Sequence, residues 1–202
     1  MYKFGGWNIN VPRNAMPQKI ATAFAAMAEQ LIGASYEFVA YLGTQQVNGT
    51  NHAVLAQQTV VTGKDVNNAV VIVFNEKPGS MDVALTDIRR IVEAGGPLGG
   101  TNVNMSLRIP TEAEDAFNKV KDSGWVGAKI VPFAYVGSKV TKGTEYILVA
   151  EVTPMTKDQV TELSLVTVNA LEKSFDFDKV FEDGAAEEER AASLGKPLGE
   201  WP

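Results

Sequence analysis

The chain is written twice. Gly5-Gly6-Trp7-Asn8-Ile9-Asn10 recurs as Gly99-Gly100-Thr101-Asn102-Val103-Asn104, an offset of 94 residues that holds far downstream. Ala40-Tyr41-Leu42-Gly43 corresponds to Ala134-Tyr135-Val136-Gly137, and Gly49-Thr50-Asn51-His52 to Gly143-Thr144-Glu145-Tyr146. Self-similarity over such a distance means one supersecondary unit used twice, so any fold proposed for one half must serve the other. Between these anchors Val11-Pro12 is matched with Ile109-Pro110, which gives the second copy four extra residues before its proline and four fewer in the following helix and its exit.

Within the first copy, Ile20, Phe24, Met27 and Leu31 fall at spacings of four, three and four, which predicts an amphipathic helix from Pro17 to Leu31 ending at Gly33. In the second, Thr111-Glu112-Ala113-Glu114 has the form of a capping box, with Ala113, Phe117 and Val120 as the apolar stripe. Four strand-like runs follow the first helix: Tyr36 to Thr44, His52 to Thr62, Ala69 to Asn75 and, after the turn signal Lys77-Pro78-Gly79-Ser80, Val83 to Ile88. A short run, Asn8 to Val11, precedes it. The expected fold class is therefore α+β, two tandem units of four to five antiparallel strands, each with one helix across its sheet. Residues 1–94 form the first unit, 95–183 the second and 184–202 an acidic flexible tail, with Arg89 to Leu98 as the linker.

Composition removes several function classes. The formal charge of −6 and the scattered basic residues offer no patch for phosphate contacts, so nucleic acid is not an expected partner. No cysteine occurs, which excludes thiol catalysis, disulfides and thiolate metal sites, and no other metal or cofactor motif is present. No apolar run reaches the ~18 residues of a membrane span, and MYKFGGWNIN lacks the apolar core of a signal sequence, which favours a cytoplasmic location. The single histidine, His52, reads as a packed or surface strand position rather than a catalytic group. Asp82, Asp87 and Glu93 are the carboxylates from which an acid-base pair would have to be drawn. An enzyme is not expected.

The hairpin tip Gln45-Gln46-Val47-Asn48-Gly49, followed by Thr50-Asn51, resembles the Gln-x-Val-x-Gly first hairpin of the cystatins. Gly5-Gly6 ahead of it is similar to the family's amino-terminal trunk, and Val73-Phe74-Asn75-Glu76-Lys77-Pro78-Gly79 to the second hairpin of its stefin branch. The resemblance implies a reversible inhibitor of papain-like cysteine proteases that inserts a three-part wedge: Gly5 and Gly6, then Gln45, Gln46, Val47, Asn48 and Gly49, then Pro78 and Gly79. In the second copy the tip is Lys139-Val140-Thr141-Lys142-Gly143 and Pro-Gly is lost, so the inhibitory residues are not carried over. Asn48-Gly49 is also the strongest two-residue hairpin signal. The alternative is a non-inhibitory module that binds another protein or copies of itself through hairpins and strand edges.

Overall fold

The computed structural model describes residues 6–61, 65–80, 82–95, 100–157 and 159–181. In chain order the elements are β1 (Trp7–Asn8), α1 (Gln18–Gln30), β2 (Ala34–Val47), β3 (Gly49–Val61), β4 (Asp65–Glu76), β5 (Val83–Val92), β6 (Thr101–Ser106), α2 (Thr111–Asp122), β7 (Ala128–Val140), β8 (Thr144–Pro154), β9 (Glu162–Asn169) and β10 (Ser174–Lys179). They make two antiparallel meanders, β1-β2-β3-β4-β5 and β10-β9-β8-β7-β6.

The expectation of two tandem α+β units, each built as a helix over a sheet in the manner of cystatins, is overturned. Among the described residues the fold is mostly β, 56% strand against 15% helix, and its two five-stranded sheets face each other. Val39, Leu42, Leu55 and Val71 of the first sheet share one core cluster with Val136, Val149, Leu163 and Leu165 of the second. The cause lies in strands that are apolar on both faces. Along Ala53-Val54-Leu55-Ala56, alternate residues enter different clusters: Ala53 and Leu55 face the opposing sheet, while Val54 and Ala56 pack with Ile20, Phe24 and Met27 of α1. A sheet with one wet face alternates apolar and polar residues, whereas these runs require cover on both sides. Burying side chains of this size contributes about 1.5–3 kcal/mol each, so the inter-sheet layer holds the molecule together and the two short helices close its outer faces.

The sheets run in opposite senses. Trp7, opposite Gln45 near the β2–β3 tip, stacks on Phe181 beyond the far end of β10, with centroids 4.3 Å apart and planes 5° from parallel. At the other end, Gln57 Oε1 accepts the Met105 amide at 2.9 Å. The position equivalent to Gln57 is Glu151, which accepts Arg13 Nη2 at 2.7 Å. The repeat thus closes on itself about a pseudo-twofold, with its two hairpin tips at opposite ends.

Three local expectations are corrected. The residue matching Pro110 is Pro17, not Pro12, because each of these two precedes its helix. No capping box forms on α2: Pro110 holds the cap position without a side-chain bond and Thr111 is already helical, while Glu112 and Glu114 at the start and Lys119 and Lys121 at the end complement the helix dipole. Arg89 to Val92 is the end of β5 rather than a linker, and Gly95 bridges to Thr101. The tail at 184–202 lies outside the described residues. No helix among the described residues is long and apolar enough to cross a membrane.

Candidate functional site

Three segments meet at one end of the first sheet. Pairing of Trp7 with Gln45 and of Asn8 with Thr44 lays the chain entering β1 beside β2. The β2–β3 hairpin closes at Val47 and Gly49 with Asn48 at its apex, and Thr50 of β3 pairs with Glu76, after which Lys77, Pro78 and Gly79 turn the chain into β5. The row is therefore trunk, first tip, second tip, set by strand order.

The side chains of this row divide into frame and surface. Gln45 is buried: its Oε1 accepts Asn51 Nδ2 at 3.0 Å, and Asn51 Oδ1 accepts Asn75 Nδ2 at 2.8 Å, a ladder across β2, β3 and β4. Gly49 has φ +103°, and a Cβ there would lie 2.4 Å from the Glu76 carbonyl oxygen, so the glycine lets the tip close against β4. Gly6, Gln46, Val47, Asn48, Pro78 and Gly79 are exposed, and Gln46 Nε2 donates to Thr50 Oγ1 at 3.2 Å. Val47, 38% exposed, is the one large apolar side chain on the first tip. Gly5 lies outside the described residues.

Beneath the tip is a chain of polar groups, buried at Tyr41 and His52 and partly exposed at Glu76 and Lys19, that the sequence reading missed. The Tyr41 hydroxyl is 2.7 Å from His52 Nδ1, His52 Nε2 is 3.4 Å from Glu76 Oε2, and Lys19 of α1 donates to Glu76 Oε1 at 2.5 Å. The donor in the Tyr41–His52 contact depends on the imidazole tautomer; His52 Nε2 makes no hydrogen bond of normal geometry, and the Glu76 carboxylate at 3.4 Å is its polar neighbour. Burial pushes the Tyr41 phenol up to about 12, with the Glu76 charge adding to it. Burial also lowers His52 below its ordinary range, opposed in part by Glu76, while the Lys19 hydrogen bond leads in holding the Glu76 carboxyl low. With both rings enclosed, this chain ties α1 to the sheet below the hairpin. The lone histidine in the hairpin strand, set opposite Thr44 and close along the sheet to Tyr41, was the available signal; its partners on α1 and β4 were not deducible from spacing.

The remaining candidates are not brought together. Asp82 and Asp87 are exposed on the turn and the length of β5, and Glu93 pairs with Arg90 at 2.8 Å. Among the described residues no group of three His, Asp or Glu side chains is arranged to hold a metal ion. In the second sheet the equivalent tip exposes Lys139, Val140 and Lys142, and Glu145 takes the place of Asn51, accepting Asn169 Nδ2 at 3.1 Å.

Compared with protein-family models and with curated proteins, the chain matches none.

Proposed function

We propose that the chain binds and blocks the cleft of another protein with the hairpin end of its first sheet, and that a papain-like cysteine protease is the target class. The observation that supports this reading is the row itself: the chain at Gly6, the Val47-Asn48-Gly49 tip and the Pro78-Gly79 turn lie side by side. Small residues at the two apices leave the backbone as the leading edge, which suits entry into a narrow groove. Val47 supplies apolar area at the centre of the contact. The Gln45–Asn51–Asn75 ladder holds the loop before binding, so little conformational entropy remains to be lost.

Titration of papain activity tests the reading, with the parent chain beside Val47→Asp and Pro78→Asp variants shown to be folded by thermal unfolding. The expected outcome is stoichiometric, reversible inhibition by the parent and a loss of about a hundredfold in Val47→Asp, equivalent to about 2.7 kcal/mol. A folded parent that leaves papain untouched at micromolar concentration rejects protease inhibition in this form.

A second reading, assembly through open sheet edges, is favoured by β5 and β10, which end their sheets and leave Leu85 and Phe177 exposed. Light scattering across a concentration series separates it: growth in mass with concentration and no protease binding supports assembly.

A further inference from the structure

The apex of the first hairpin holds two neighbours that can react with each other. Asn48 is the single residue between Val47 and Gly49, which pair with one another across the turn, so no partner strand fixes its rotation. Its side chain is exposed, and its amide makes no hydrogen bond among the described residues. The other asparagines at this end are held: Asn51 donates to Gln45 at 3.0 Å, and Asn75 donates to Asn51 at 2.8 Å. Asn48 is also the only asparagine in the chain that precedes a glycine. Gly49 has no Cβ to obstruct its peptide nitrogen on the side of Asn48. In the second unit the corresponding pair is Lys142-Gly143, which carries no side-chain amide.

We infer that Asn48 is a modification site at which the chain converts its own asparagine to aspartate and isoaspartate, with water as the only co-reactant. The Gly49 peptide nitrogen gives its proton to solvent base and bonds to Asn48 Cγ, closing a succinimide ring. The Cγ–Nδ2 bond breaks, and that nitrogen leaves as ammonia, taking a proton from solvent. Water then opens the ring at one of its two carbonyls. Cleavage at Cγ restores the main chain and leaves aspartate; cleavage at the main-chain carbonyl carbon leaves isoaspartate, whose main chain runs through Cβ and Cγ. Either product places a carboxylate at the apex of a tip, Gln45 to Gly49, that otherwise carries no charge. The isoaspartate also lengthens the turn by a methylene, so Val47 and Gly49 no longer meet in register. The reaction needs nothing but the turn and water, so it proceeds whether or not the tip has a protease partner.

The test is mass spectrometry of the folded full chain during incubation in buffer, beside the same chain held unfolded in guanidinium chloride. The folded chain is expected to gain one mass unit and to release one equivalent of ammonia, with the change mapped by peptide digestion to Asn48. Its rate should rise about tenfold per pH unit between about pH 6 and 8, because the attacking nitrogen must first lose a proton. Asn10 and Asn104, exposed but followed by valine and methionine, should keep their amides. An isoaspartate methyltransferase should label the aged parent and not Asn48→Gln, whose longer side chain closes its ring poorly. Nuclear magnetic resonance of the converted chain should show shifts at Val47, Gly49 and Thr50 and none from Val140 to Thr144. A folded chain that keeps the Asn48 amide while the unfolded one loses it, conversion spread evenly over the asparagines, or the same mass gain in Asn48→Gln overturns the inference.

Discussion

The hydroxyl of Tyr41 lies 2.7 Å from Nδ1 of His52, within hydrogen-bonding distance inside the first unit, and both rings are closed off from solvent. This pair, with Glu76, sets how the fold responds to pH. His52 is lowered in the folded state, so below pH 6.5 the unfolded chain binds the proton more readily, and stability falls as pH drops through that window. Glu76 is lowered as well; its contribution is present above 4.5 and is lost on further acidification. Tyr41 is raised, so stability declines again as pH climbs from 10.0 towards about 12, where only the unfolded chain readily gives up the phenol proton. Urea unfolding from pH 7.5 down to about 3 should show a loss in the parent that begins near the ordinary histidine range and continues below 4.5. His52→Tyr, which installs the second unit's residue, should flatten that slope while leaving the loss attached to Glu76. An unchanged slope in His52→Tyr removes His52 as its source.

The two turn glycines of the candidate binding end carry different constraints. At Gly49 a methyl group meets the Glu76 carbonyl at 2.4 Å as well as the penalty of φ +103°, whereas at Gly79 the φ of +68° is the whole difficulty, since nothing lies within 4 Å. Gly49→Ala is expected to destabilise by about 2–4 kcal/mol and to part the first tip from β4, and Gly79→Ala by about 1 kcal/mol. Denaturant midpoints rank them. Equal effects would mean that backbone strain alone acts at position 49.

Arg13 is the side chain that most directly spans the sheets. Its guanidinium donates to the Leu42 carbonyl at 2.8 Å and to Glu151 at 2.7 Å, and it lies 4.5 Å from the centre of the Phe133 ring. Arg13→Ala strands a carbonyl and removes the stacking, a loss of about 1–3 kcal/mol. Glu151→Gln, acting on a carboxylate whose side chain is 40% exposed, should change stability by about 1 kcal/mol or less. A double-mutant cycle on the two positions reads the coupling directly.

What could be read in advance follows the range of the forces involved. The repeat anchors Gly43 and Gly137 are needed for a reason confined to each unit: a Cβ at either would strike the carbonyl of Asn8 or Asn102, where the first strand of the unit crosses. Helix faces such as Ile20, Phe24 and Met27 are periodic, and Asn48-Gly49 is a local turn signal, so both were legible. The pairing of the two sheets was not, because Leu55 and Val54 look alike in sequence although one faces the other sheet and the other faces α1. The unbroken apolar run Ala69-Val70-Val71-Ile72 was the clue to a sheet covered on both sides. Gln45 was legible as a tip residue but not as a buried rung of a ladder, since Asn75 arrives from a strand thirty positions later.

The shared core also makes a prediction about the halves. A fragment ending at residue 94 retains the first sheet and α1 but uncovers the face that carries Val39, Leu42, Leu55 and Val71. Contiguous apolar surface of that kind does not remain exposed on a soluble monomer. Residues 1–94 alone should therefore dimerise or aggregate, and mixing them with residues 95–183 should give a one-to-one complex whose inter-sheet layer is restored. Size-exclusion chromatography with light scattering distinguishes the outcomes. A monodisperse 1–94 monomer that melts as the full chain does would mean that each sheet is stable on its helix alone; the face between the sheets would then be a docking surface laid over two finished units.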